Sequence, residues 1–269
     1  MPYLRIESEE LYYHLESGES DKTIVLLHSL GTDHRIWKYQ VEAFSEKGYN
    51  VIVPDIRGHG KSSCHNGVSV DHWVTDLLHL LDHLKIEKSI LCGVSMGGVK
   101  AIAFTLKYPE RVQNLILADT FAKISPSSVS EKIELTAGVA KEQGMDQYAD
   151  TYLDSTLSNS PSAKAIRHSL RQAISEMPLC IYESSAESCF RVNLEEQLSR
   201  IAVPSLVLIG EEDFKTPIRL SKLIVSKIPK AELRIIPKGR HLSNVDEPDY
   251  FNSSVIEFLN IQEKAYEEA

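Results

Sequence analysis

Six short runs of consecutive apolar residues recur along the chain: TIVLL (Thr23 to Leu27), VIVP (Val51 to Pro54), SILC (Ser89 to Cys92), NLILA (Asn114 to Ala118), SLVLI (Ser205 to Ile209) and ELRII (Glu232 to Ile236). They do not alternate with polar residues, which is the pattern of strands covered on both faces. Between most of them the period changes to three and four. HWVTDLLHLLDHL (His72 to Leu84) and GGVKAIAFTLKYP (Gly97 to Pro109) read as helices, the second ending before a proline. Strand followed by helix, repeated, predicts a parallel sheet with helices on both sides. YLRIE and LYYHL at the start predict a leading antiparallel pair.

The alternation stops after Ala118. From Phe121 to Arg200 four helix-period stretches follow one another: SVSEKIELTAGVAKEQG, MDQYADTYLDSTL, SAKAIRHSLRQAISEM and CIYESSAESCF. The sheet pattern resumes at VPSLVLIG, so this block reads as an insertion. It predicts a core of residues 1–120 and 201–269 carrying a helical cap of residues 121–200.

A length of 269 residues is enough for a large core. The balance of 29 Lys+Arg against 38 Asp+Glu gives a net charge of −9 with no basic run, which argues against nucleic acid and anionic membrane as partners. No apolar run approaches the ~18 residues of a membrane span, and the N-terminus lacks the regions of a signal peptide, so a cytoplasmic protein is expected. Cys64, Cys92, Cys180 and Cys189 form no C-x-x-C pair, and free thiols in a reducing compartment are expected.

The chemistry gathers at ILCGVSMGGV (Ile90 to Val99), where glycines at plus and minus two flank Ser95 between a buried strand and a helix. A strand-to-helix turn sharp enough to lift one side chain above the sheet forces that residue into a strained conformation. It also crowds its neighbours, so only very small residues fit. The helix N-terminus then faces the serine, where free N–H groups stabilise an oxyanion. A serine needs a base, and the base an orienting acid. Asp213 in IGEEDFKTP and His241 in GRHLSNVDEP each follow a strand, and so fall on the same carboxyl edge as Ser95. Asp119 and the adjacent Glu211 and Glu212 rival Asp213, which could also serve only as a helix cap. The second oxyanion donor should come from LLHSLGTDHRIW, making the backbone N–H groups of Leu30 and Met96 the expected pair. Trp37 fits either core or pocket wall.

His72, Asp76, His79 and His83 share one helix face opposite Val74, Leu77, Leu81 and Leu84. Without an H-E-x-x-H spacing they read as a solvated face, and no metal site is assigned. DIRGHGKS reads as a turn, since it lacks the G-x-G-x-x-G spacing of a phosphate cradle.

LLHSLGTDHRIW, VPDIRGHGKS, GVSMGG, GEEDFKTP and GRHLSNVDEP stand in the order in which the α/β-hydrolase superfamily carries its motifs, and SLGTD and HLSNVDEP resemble the 3-oxoadipate enol-lactonase group. The resemblance implies an α/β-hydrolase fold: an eight-stranded, mostly parallel sheet with helices on both faces, an inserted helical cap and no cofactor. It carries the nucleophile to Ser95, the acid to Asp213, the base to His241 and the oxyanion donors to Leu30 and Met96. Ser29 after His28 stands where most relatives carry glycine. The enol-lactone of that group is anionic, so its pocket wants cations. His28, Ser29, Trp37, Arg167 and Arg171 are the expected pocket residues, with Lys164 and Arg191 as further cations of the cap. The expected activity is cleavage of a small carboxylic ester or lactone through an acyl-enzyme. Acyl transfer, C–C bond hydrolysis on the same triad and a ligand-receptor role for the fold are the alternatives.

Overall fold

The computed structural model describes residues 3–267. Along the chain, β1 (Tyr3–Ile6), β2 (Glu9–Glu16) and β3 (Thr23–Leu27) precede α1 (Lys38–Ser45), β4 (Asn50–Pro54), α2 (Val70–His83), β5 (Ser89–Val94), α3 (Met96–Lys107) and β6 (Val112–Ala118). The inserted helices are α4 (Pro126–Ile133), α5 (Val139–Gln143), α6 (Met145–Thr156), α7 (Pro161–Glu176) and α8 (Leu179–Phe190), with a π-helical turn at Glu134–Gly138 between α4 and α5. The chain then returns through β7 (Ser205–Gly210), α9 (Ile218–Lys227), β8 (Ala231–Ile236), α10 (Ser243–Asp246) and α11 (Pro248–Glu267).

The strands form one eight-stranded sheet in the order β1-β2-β4-β3-β5-β6-β7-β8. β1 and β2 are antiparallel, β2 pairs antiparallel with β4, and every pair from β4 to β8 is parallel. The continuous apolar runs have a direct cause, because alternate residues of each strand feed two cores. Leu26, Val53, Ile116 and Leu208 join Trp37, Phe44 and Phe251 on one face. Leu27, Ile52, Leu115 and Val207 join Leu77, Leu81 and Phe104 of α2 and α3 on the other. β8 departs from the expectation of burial on both faces. It is the sheet edge, paired on one side by β7, and Ile235 is 43% exposed.

Local signals set the helix starts. The Ser69 side chain accepts from His72 N–H at the head of α2, and Ser160 accepts from Ala163 N–H at the head of α7, with Pro161 in the first turn. The face of α2 expected to be solvated is divided: His79 and His83 are exposed, but Asp76 is buried and takes both arms of Arg57, at 2.9 and 2.6 Å. Arg57, from the DIRGHGKS turn, also pairs with buried Glu9 at 3.0 Å and so ties β2 to α2. Burial of that aspartate is possible because its charge is matched by a two-pronged partner.

Candidate active site

β5 ends at Val94, and α3 begins at Met96, leaving Ser95 alone to make the turn, with φ 55° and ψ −117°. That is an unfavourable backbone for a residue with a side chain. The flanking glycines permit it. A Cβ on Gly93 would lie 2.3 Å from the Gly97 carbonyl oxygen, and one on Gly97 would lie 2.0 Å from the Leu27 oxygen. The turn is held by Ser95 N–H donating to Ala118 O at 2.9 Å and by the Thr120 hydroxyl donating to Ser95 O at 2.6 Å.

Ser95 Oγ lies 3.0 Å from His241 Nε2, and His241 Nδ1 lies 3.0 Å from Asp213 Oδ2. All three side chains are buried. His241 stands just beyond β8 and Asp213 just beyond β7, so three separate strand ends bring the groups together. Asp213 combines both of the roles open to it in the sequence. Its Oδ1 accepts the N–H groups of Lys215 and Thr216, at 2.8 and 3.0 Å, while its Oδ2 faces His241 and accepts the Thr216 hydroxyl. Burial alone would raise its pKa, but the His241 imidazole and the Thr216 hydrogen bonds outweigh burial and hold it below the usual carboxylate range. Such an arrangement can move a proton from hydroxyl to imidazole while the carboxylate steadies the resulting cation.

The rivals of Asp213 are otherwise engaged. Asp119 is fully buried at the end of β6, where Oδ1 accepts Gly210 N–H at 2.8 Å and Oδ2 accepts Ser243 N–H at 3.1 Å. Burial and the neighbouring Asp213 charge raise its pKa. It stitches the ends of β6 and β7 to the loop that carries His241. Glu211 and Glu212 are exposed.

A small cavity of about 40 Å³ opens above Ser95. Leu30 and Met96 line it with Ser95 and His241, and among the described residues neither the Leu30 nor the Met96 N–H has a hydrogen-bond partner. His28 and Ser29 lie behind this wall rather than in it. His28 Nε2 accepts Ile56 N–H at 2.8 Å, which leaves Nδ1 as the donor to Ser29 O, also at 2.8 Å. The Thr32 hydroxyl donates to the same oxygen at 2.9 Å. The Ser29 peptide is thereby fixed at the start of the segment by which Leu30 lines the cavity.

Three further pocket expectations are corrected. Trp37 has no exposed surface and packs against Phe251, ring centroids 6.1 Å apart, so it belongs to the core. Arg167 pairs with Asp154 at 2.6 Å and Arg171 with Asp146 and Asp150 at 3.0 and 3.1 Å, all between the outer faces of α6 and α7. Arg191 pairs with Glu187 one turn away, and Lys164 is exposed. Amphipathic spacing sends these cations to the solvent side, where aspartates of the neighbouring α6 take Arg167 and Arg171.

The cations at the cavity are Lys132 and Lys215, which line it together with Tyr152, Phe121 and Phe190. The Lys132 ammonium lies 5.8 Å from the Phe190 ring centroid and that of Lys215 5.1 Å from Tyr152. Among the described residues neither has a carboxylate within ion-pair distance. Burial pushes the pKa of Lys215 down to about 8, assisted by Lys132 and opposed by Asp213. Sequence reasoning missed both lysines, although Lys215 lies two residues from Asp213 and so had to fall near the site. Asp33, His34 and Asp55 bring ligand atoms within 4.8 Å of one another, but Asp33 is occupied by Arg35, and Asp55 accepts His34 and two backbone N–H groups.

The strand order, the elbow and the insertion above it are those of an α/β-hydrolase. Residues 18–248 match the family described as Serine aminopeptidase, S33, and the chain belongs to this hydrolase family. It is 32% identical over 246 residues, 88% of this chain and 89% of the other, to 3-oxoadipate enol-lactonase 2 of Acinetobacter baylyi. A 2-hydroxy-6-oxononadienedioate/2-hydroxy-6-oxononatrienedioate hydrolase of Paraburkholderia phymatum is 30% identical over 267 residues, covering 91% and 89% of the two chains. Among solved structures, the enol-lactonase from Burkholderia xenovorans superimposes with a TM-score of 0.87 at 29% identity, over 96% of this chain and all of the other.

Proposed function

We propose that the protein is a serine hydrolase that cleaves a small carboxylic ester or lactone bearing a carboxylate. The observation that carries this reading is the unbroken contact from Asp213 through His241 to Ser95, with 3.0 Å at each step. In the proposed mechanism His241 takes the Ser95 proton as Oγ attacks the carbonyl carbon. The oxyanion is received by the N–H groups of Leu30 and Met96, each contributing roughly 3 kcal/mol in the transition state. His241 then returns the proton to the leaving oxygen, and water, activated by the same imidazole, cleaves the acyl-enzyme. With a lactone the leaving oxygen stays tethered to the acyl group, and an enol leaving group drains to the ketone.

Lys132 and Lys215 support the carboxylate. Two unpaired cations beside the nucleophile cost stability unless an anion uses them. The names of the relatives agree with such a substrate, being an enol-lactonase and a hydrolase of dicarboxylates. The segment assigned as the cap, 121–200, supports exclusion of water. Its ends meet at a neck where Lys123 pairs with Asn193 and Leu194 N–H donates to Ala122 O at 2.9 Å. Glu195–Arg200 past the neck buries Leu198 with the residues of α3 and α9, so the insertion proper ends at the neck.

The test is a panel of neutral and carboxylated esters and lactones against wild type and Ser95→Ala. Multiple turnover with a preference for the carboxylated members, lost by on the order of 10⁶ in Ser95→Ala, is the expected result. Turnover that survives Ser95→Ala would remove the serine from the mechanism. A C–C substrate of the dienedioate type belongs in the panel, since one relative carries that name.

A further inference from the structure

The cavity above Ser95 is narrow: at about 40 Å³ it has room for roughly one water molecule, so seating an ester needs its walls to give. The seams between the inserted helices and the core are where that wall can part. The larger groove along such a seam, about 590 Å³ and bordered by Arg35, Lys61, Cys64 and Glu176, shares no lining residue with the catalytic cavity. A second groove, about 380 Å³, runs between α4 with its π-helical turn and the loop that follows β7. It shares Lys132 and Lys215 with the cavity, so these two side chains are the wall between inside and outside.

We propose that this second groove is the mouth of the active site, that the Lys132–Lys215 contact is its latch, and that Arg219 at its rim selects anionic substrates. The inference deepens the hydrolase reading above and rests on it for the substrate's charge. The polar link across the seam is the Lys132 ammonium donating to Lys215 O at 2.8 Å. A substrate carboxylate competes for that ammonium, and the bond that holds the seam shut is exchanged for one that holds the substrate. The π-helical turn sits where such a movement needs slack: Thr136 within it faces the cavity while its neighbour Leu135, 65% exposed, borders the groove. Phe214, 84% exposed on the opposite bank, gives the mouth a second apolar lip. Lys132, Lys215 and Arg219 against Glu131 make the groove positive in a chain of net charge −9, so it draws anions inward locally.

Phe214→Cys is the decisive variant, modified with a bulky polyethylene-glycol methanethiosulfonate and released again by dithiothreitol. Wild type treated in parallel carries the adduct on exposed Cys180 and on Cys64, which borders the rival groove. The modified variant should lose about tenfold or more in kcat/KM for every ester and recover it on reduction, while treated wild type keeps its activity. Full activity in the modified variant, or loss in treated wild type, overturns the assignment of the mouth. Arg219→Glu should lower kcat/KM for mono-4-nitrophenyl succinate by roughly three- to tenfold and leave 4-nitrophenyl acetate unchanged. Equal effects on both esters would remove Arg219 as the selector. Adipate binding to Ser95→Ala, read by calorimetry with and without the adduct at position 214, separates the two levels. If wild type turns over no ester, yet adipate is excluded by the adduct, the hydrolase reading falls and the mouth stands; adipate binding that ignores the adduct sinks the mouth alone.

Discussion

Ser95 and Met96 are adjacent and both line the cavity, but the proposed mechanism uses different parts of them. In it Ser95 acts through its hydroxyl and Met96 through the backbone N–H at the head of α3. Met96→Leu keeps the N–H and a side chain of similar volume in a fully buried position. Its kcat/KM should stay within about threefold of wild type, against the loss of on the order of 10⁶ for Ser95→Ala. A severe effect of Met96→Leu with unchanged thermal unfolding would refute the donor assignment. The residues of the Ser-His-Asp arrangement were legible in the sequence because each follows a strand at the same edge, and backbone topology alone brings them close. The pocket cations were not. Arg167, Arg171, Lys132 and Lys215 all stand near acidic or helical sequence, and nothing local distinguishes a lysine that meets a cavity from an arginine that meets Asp150 across a helix pair. That choice is made where α4 meets the loop after β7, through residues as far apart in the chain as Lys132 and Lys215.

The β5–α3 turn is an element whose conformation is set by contacts outside it. Gly97 packs against the last residue of β3 so closely that a methyl group has no space, with Leu27 O at 2.0 Å and His28 O at 2.8 Å from the Cβ position. Both obstacles are backbone, and cannot rotate away. Gly97→Ala should therefore destabilise the protein by about 2–3 kcal/mol in chemical denaturation and lower kcat/KM by more than a hundredfold, since the displaced strand carries the Leu30 loop. Retention of wild-type kcat/KM by Gly97→Ala would show that the turn tolerates rearrangement. The parallel strands were readable as elements because burial on both faces leaves continuous apolar runs. β8 carries the same kind of run and is an edge, since its outer face is partly open to solvent and needs less apolar character than its sequence supplies. The π-helical turn had no legible signal: Glu134–Gly138 runs on from α4 with no proline or cap to mark the change.

For the molecule as a whole, buried charge is concentrated behind the sheet as well as at the site. Lys100 in α3 is 2% exposed, and its charged neighbours are Asp76 and Arg57. Burial pushes its pKa down to about 8 against the pull of Asp76, so the folded chain gives up this proton before the unfolded chain does. Between about 8 and the ordinary 10.5 the unfolded state holds more protons, and stability from this group rises with pH. Lys100→Met should accordingly be more stable than wild type below pH 8, by roughly 3 kcal/mol at most, with the advantage vanishing as pH approaches 10.5. Unfolding curves of both proteins across that range check it; an advantage that does not change with pH would mean that packing, not charge, separates them.

The neck at Ala122–Lys123 and Asn193–Leu194 has an architectural consequence. Because the inserted helices leave and rejoin the sheet through one narrow doorway, β6 and β7 remain neighbours whatever lies between them. On the proposed reading, evolution or a protein engineer can exchange the entire roof as a graft and alter which molecules are admitted, provided the replacement restores the bonds from Arg240, beside His241, to the Asp154 and Leu157 oxygens.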